Sequence, residues 1–460
     1  MTIDVAATQL TSTSQSNAPS GPRSIGRLLL IAGGARAMVL PITGISHLVI
    51  ARLITSAAGI EQFGVVMLIA TLSQPLVFAD LGAGAAIATA RARVSEAGPE
   101  QFRRTTLTAI RTTLCSACLL GVTAVALGLL DAWPPLLGIH PAQIGRGINV
   151  AVVLTLMAFA VGLPFSLGAN ILRGSGRMHQ AVLLGGLTAP FALGLTAALF
   201  ALHAPSLAYA LPIPVSGLLS AMWAALAVRR SDAKLVKGIV GQAFQPRRFR
   251  GLSIRAIAAP WVLVMMGQPL ALQSDRLVLS HRLALTDLAN YSYAAQLYLP
   301  IESVVVVAAL ALWPHFAVQT QAAATVRKTW LTGLAILGAA GALAATGFVL
   351  LSPYVIGWTS DGLATPPISL LVAFGALLVV QSLHATTSIM LISPKALRFQ
   401  AVCMIALVVT NLPLSWVLAP VLGPSGPVFA SALTMALCQL IPGVIVAHRA
   451  TSRRPAAEVS

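Results

Sequence analysis

Residues 229–255 read RRSDAKLVKGIVGQAFQPRRFRGLSIR and carry eight cations: Arg229, Arg230, Lys234, Lys237, Arg247, Arg248, Arg250 and Arg255. They lie near the middle of a 460-residue chain, between the apolar stretches 206–228 and 257–280. Each stretch is long enough to cross hydrocarbon as a helix. Moving Lys or Arg across a bilayer is unfavourable, so a cation cluster between two such stretches marks a cytoplasmic loop. Working outward, the cluster recurs at every second gap. Twenty-four of the 29 Lys and Arg residues fall at 91–111, 173–177, 229–255, 327–328 and 395–398 and in the two termini. The intervening gaps hold only Arg52, Arg146 and Arg282, while Arg36 and Arg276 sit inside apolar stretches. The pattern predicts an integral membrane protein with an even number of spans and both termini in the cytoplasm.

Composition agrees with that reading. Hydrophobic residues make up 57% of the chain and charged residues 9%, which excludes a soluble domain of this length. A net charge of +17 in a soluble protein would suggest nucleic acid. Here the charge gathers at helix ends, where anionic headgroups attract it, so membrane lipids and not nucleic acid are the expected partners. Residues 1–22 are polar with no apolar core, which predicts a disordered cytoplasmic tail and no cleavable signal peptide. Cys115, Cys118, Cys403 and Cys438 all lie in apolar stretches and read as small packing residues.

The predicted spans are 28–51, 62–88, 106–130, 148–171, 180–202, 206–228, 257–280, 289–312, 330–352, 367–391, 398–419 and 425–447. The fold class is therefore all-α, with about twelve transmembrane helices. A repeat organises them: NILRGSGRMHQAV at 170–182 and MLISPKALRFQAV at 390–402 are offset by 220 residues, each closing a fourth helix and opening a fifth. The expectation is two pseudo-symmetric six-helix bundles around a central cleft, 23–228 and 257–448, with a basic cytoplasmic linker at 229–256 and a tail at 449–460.

Charged side chains inside spans are costly unless they face protein or water, which makes them functional candidates. Five occur: Arg36, Asp80, Asp275, Arg276 and Glu302. On the first span Arg36, Thr43 and His47 share a face at 100° per residue. On the seventh, Gln268 and Asp275 share a face, and Arg276 lies near the outer end, where it could snorkel. On the eighth, Tyr298 and Glu302 are four apart. On the tenth, Gln381, His384 and Ser388 form a stripe. Asp80 stands before Gly82 and Gly84, where it could cap or brace the chain. Asp275 and Arg276 could also neutralise each other as a structural pair. No cluster has metal-ligand spacing, no loop would cradle a nucleotide phosphate and no nucleophile has a base beside it, so neither a cofactor nor enzymatic catalysis is expected.

Three segments carry a resemblance. Residues 51–64 read ARLITSAAGIEQFG and residues 79–93 read ADLGAGAAIATARAR; together they resemble the first two helices of Wzx-type polysaccharide flippases, within the multidrug/oligosaccharidyl-lipid/polysaccharide exporter superfamily. Asp80-Leu81-Gly82-Ala83-Gly84 matches that family's Asp-Leu-Gly-x-Gly. QSDRLVLSHRLALTDLANYSYAAQLY at 273–298 resembles its seventh-to-eighth helix stretch, with Asn290 where a glycine is usual. The resemblance implies transfer of a polyprenyl-pyrophosphate-linked oligosaccharide from the cytoplasmic to the outer leaflet of a bacterial inner membrane. A glycan polymerase and export machinery are the implied protein partners. Arg36, His47, Arg52, Gln268, Arg276, Gln381 and His384 would then line the substrate cleft, with Arg36 and Arg276 beside the pyrophosphate. Glu302 and Asp275 would couple transport to an ion gradient. The alternatives are a multidrug/cation antiporter of the same superfamily and, against the shortness of every outer gap, a membrane glycan polymerase or acyltransferase.

Overall fold

A computed structural model describes residues 41–139, 147–252, 274–310, 312, 316, 323–391 and 394–452. Every regular element among them is helical, and no strand occurs among the described residues. Ten of these helices are long and apolar enough to cross a membrane, and an eleventh, Ile60–Thr71, is apolar but shorter. The protein is thus an all-α, multi-pass membrane protein. The expected first and seventh spans lie partly outside the described residues.

The chain groups into two compact units. The first comprises Ile45–Ala289 and Thr359–Leu363; the second comprises Met1–Gly44, Asn290–Trp358 and Ala364–Ser460.

In the first unit, which takes helix α1 (Pro41–Ala58) from Ile45 onward, α1 gives way at Gly59 to α2 (Ile60–Thr71). The expected continuous span 62–88 is corrected here. It is broken into α2, a 3-10 turn at Pro75–Asp80 and α3 (Ala83–Ala92). Pro75 has no N–H to continue the ladder, and Leu81 and Gly82 take left-handed φ values of 50° and 73°. A long α4 (Val94–Leu129) follows, interrupted at Gly98. Then come α5 (Ile148–Gly174), α6 (Met178–Gly186), α7 (Thr188–Ala201) and α8 (Pro212–Ser231). Helices α5 and α8 meet backbone to backbone at Gly168, where a Cβ would lie 2.6 Å from Ala225 N. Small residues permit this approach, which supplies the dispersion contact that drives helix pairing in lipid. The basic linker is folded into short helices α9 (Ala233–Val236) and α10 (Ile239–Ala243). Helix α11 (Asp275–Arg282) leads into α12 (Leu285–Leu310).

The second unit takes most of α12, then α13 (Ala323–Thr359), α14 (Ile368–Met390), α15 (Pro394–Leu422), α16 (Ser425–Met435), a π-helical turn at Ala436–Leu440 and α17 (Ile441–Ser452). Tyr298 packs among aromatic rings here, 5.0 Å from the Phe374 centroid and 6.4 Å from Phe348. Buried Asn411 on α15 binds Ser431 and Thr434 of α16, both at 3.3 Å. Such interhelical hydrogen bonds are worth about 1 kcal/mol in a membrane and fix which faces meet.

Candidate functional site

The second unit brings together two of the polar stripes. Tyr298 on α12 donates from Oη to Gln381 Oε1 on α14 at 2.7 Å. Gln381 in turn donates from Nε2 to Glu302 Oε1, closing a chain from α12 to α14 and back. Helical spacing explains the geometry. Tyr298 and Glu302, four apart, present adjacent oxygens on one face of α12, and the Gln381 amide has both an acceptor and a donor to meet them. Tyr298 and Gln381 are buried, and Glu302 is half-buried. Gln381 is the sole hydrogen-bond partner of Glu302 among the described residues. The carboxylate sits roughly 12 Å from the C-terminal end of α12, counting 1.5 Å per residue, and so well inside the span. Pro300 lies two residues before it and removes one rung of the helix ladder; Ser303 Oγ donates to Pro300 O at 2.6 Å.

His384 lies one turn beyond Gln381 on α14. Its Nδ1 has no hydrogen-bond partner among the described residues. The same helix continues with Thr387, whose Oγ1 accepts from Trp330 Nε1 at 3.3 Å. An acid held by one amide, with an imidazole one turn beyond that amide and a proline two residues before the acid, can take up and release a cation or proton without dismantling its surroundings.

The first unit holds the other described candidates. Asp275 and Arg276 are both buried, at 2% and 3% exposure. The expectation that Arg276 could snorkel is corrected: its side chain is packed in protein. His47 is half-buried on α1. Arg52 pairs with Asp361 at 2.8 Å, and both side chains are exposed. Asp80 is a cap. Its Oδ1 accepts from the Gly82 N–H at 2.9 Å and its Oδ2 from the Gly84 N–H at 3.1 Å, so both oxygens serve the start of α3. A Cβ on Gly84 would lie 2.7 Å from Asp80 Oδ2 and 2.5 Å from Asn170 Nδ2, which explains a glycine there. Arg36 and Gln268 lie outside the described residues.

Sequence reasoning missed Asp361 as the partner of Arg52. A signal was present: Asp361 is the only acid between residues 303 and 457, and Arg52 is the only cation of its gap. It also missed the pair Arg91–Asp232, 2.7 Å apart, which joins α3 to the start of the linker.

No protein-family model and no curated protein sequence matches the chain. Solved structures do. An inward-facing multidrug resistance MATE family transporter of the MOP superfamily aligns with TM-score 0.69 at 14% identity, over 91% of this chain and 98% of that one. The eukaryotic MATE transporter AtDTX14 aligns with TM-score 0.63 at 14% identity, over 94% and 99%. The lipid II flippase MurJ, in an inward closed conformation, aligns with TM-score 0.62 at 14% identity, over 92% and 88%. At these identities the likeness establishes the fold.

Proposed function

We propose that this protein is a Wzx-type flippase, moving polyprenyl-pyrophosphate-linked oligosaccharide units from the cytoplasmic to the outer leaflet of a bacterial inner membrane by alternating access. In this reading two six-helix bundles, 23–228 and 257–448, flank the substrate path, and both termini are cytoplasmic. The observation that carries a transport role is the Tyr298–Gln381–Glu302 chain: a carboxylate held by one amide deep in a membrane span. A fold shared with a lipid II flippase and with multidrug transporters supports the same class of activity. The glycan itself rests on the sequence resemblance at 51–64, 79–93 and 273–298. Arg36 and Arg276 would attract the pyrophosphate, with His47, Arg52, Gln268, Gln381 and His384 also lining the substrate cleft. Glu302, with Asp275 second, would carry the coupling ion. A glycan polymerase and export machinery would consume the product.

The second reading, a multidrug/cation antiporter, is favoured by the same carboxylate, because a buried acid can hold a cationic drug as well as a proton. One experiment separates the two. The full-length protein is reconstituted in vesicles holding a fluorescent polyprenyl-pyrophosphate oligosaccharide, and leaflet accessibility is followed under an imposed pH or Na⁺ gradient. Gradient-dependent movement of the glycan lipid is the expected result. Uptake of a cationic dye with no movement of the glycan lipid would replace the flippase reading by the antiporter.

A further inference from the structure

The linker expected as a basic connection is pinned to the side of α4. The half-buried Arg111 donates from Nε to Ala243 O at 2.8 Å, and from Nη2 to Gln242 O at 3.1 Å and Phe249 O at 2.8 Å. These carbonyls lie at and beyond the end of α10, where a helix leaves them without intrahelical donors. Thr108 Oγ1 donates to Leu252 O at 2.8 Å, and Arg103 Nε donates to Gln242 Oε1 at 2.9 Å. Ile239 and Ala243 bury against Leu107. From Arg103 to Arg111 the linker covers about 12 Å of α4.

Arg111 also fixes the depth. It is the last charged residue of α4, and residues 112–129 carry no charge. That run is about 27 Å long, close to the thickness of hydrocarbon. Arg111 therefore marks one hydrocarbon boundary, and the linker carbonyls it holds lie at headgroup level.

At that level α10 and the residue that caps its C-terminus turn two apolar side chains outward. Val240 is 64% exposed and Phe244 69% exposed, four residues apart on one face. Within six residues of one or the other along the linker, Lys234, Lys237, Arg247, Arg248 and Arg250 are exposed. The single acid of the segment, Asp232, is buried against Arg91. An apolar pair flanked along the chain by exposed cations, at the depth of the headgroups, matches a lipid with an acyl chain and a phosphate. Nucleic acid or an acidic protein would use the charge and leave Phe244 without a role.

We propose that residues 232–252 form a docking collar for anionic phospholipids, with Val240 and Phe244 entering the acyl boundary and Lys234, Lys237, Arg247 and Arg250 holding lipid phosphates. The collar is independent of what the protein transports.

Native mass spectrometry of the full-length protein, offered phosphatidylglycerol and phosphatidylcholine together, tests this. The parent retains phosphatidylglycerol in preference. The variant Lys234→Gln, Lys237→Gln, Arg247→Gln, Arg250→Gln loses that preference roughly tenfold at low salt, and the parent loses it as NaCl rises toward about 0.5 M. In vesicles, the emission that Phe244→Trp adds to that of the seven native tryptophans, taken as the variant-minus-parent difference spectrum, is blue-shifted and quenched by brominated acyl chains. Unchanged lipid preference in the neutralised variant overturns the proposal. So does an unquenched, water-like difference emission, or complete displacement of phosphatidylglycerol by millimolar inorganic phosphate or by an acidic peptide. If the fourfold variant does not fold, the pair Arg247→Gln, Arg250→Gln and the Phe244→Trp emission decide the question.

Discussion

Asp80 and Glu302 are both carboxylates in apolar sequence, and the structure treats them differently. Both oxygens of Asp80 accept backbone N–H groups at the start of α3. Those bonds exist only while α3 starts there, so the acid and the turn specify each other. Glu302 is held through one oxygen by one side-chain amide, on a helix that needs no cap at that point. A carboxylate whose lone pairs go to backbone is part of the scaffold; one held by a side chain can change partner or protonation while the scaffold stays. The number of backbone donors, more than the depth of burial, separates the two roles.

The largest expected effect tests the mobile side of this contrast. Glu302→Gln should abolish gradient-dependent transport in reconstituted vesicles while the melting temperature moves by less than about 1 °C. A Gln variant that follows the gradient as the parent does would make Glu302 scaffold, like Asp80. Asp80→Ala should behave in the opposite way. Loss of the cap costs about 1–2 kcal/mol, so the melting temperature of this 460-residue chain falls by roughly 1–2 °C, and transport per folded molecule is retained. Equal loss of specific transport in both variants would erase the distinction.

Tyr298→Phe sharpens it. Removing the phenol leaves Gln381 free to rotate, at a cost of about 1 kcal/mol, and gradient-dependent transport should fall roughly fivefold without loss of folded protein. The smallest effect belongs to the exposed pair Arg52–Asp361. Asp361→Asn should change stability by about 0.2–1 kcal/mol, with the difference vanishing at high salt. A larger, salt-independent change in a denaturation titration would show that this pair carries more than a surface ion pair can.

The helical, multi-pass character was legible because hydropathy and charge act residue by residue: a run of apolar side chains with cations at its ends has few other solutions. The Tyr298–Glu302 and Gln381–His384 stripes were legible for the same reason, since helical periodicity sets which residues share a face. That the two stripes meet was not, because pairing α12 with α14 depends on packing across about 80 residues. Arg52 and Asp361, 309 residues apart, were hidden likewise. The break of the second span needed more than Pro75. A kink at proline is local, but the left-handed Leu81-Gly82 step is held by Asp80 through backbone bonds that a pattern of side chains does not display.

Arg111 places a demand on synthesis as well as on the finished protein. The linker partner of its Nε, Ala243 O, lies 132 residues further along the chain. At 5–20 residues per second the ribosome needs roughly 7–26 s to deliver it. Throughout that interval the guanidinium has to be satisfied by water or headgroups at the membrane surface, at the end of a helix already committed to the bilayer. The third span is therefore finished only after the sixth has emerged, and a nascent chain arrested before residue 243 should still show Arg111 open to solvent-borne arginine reagents.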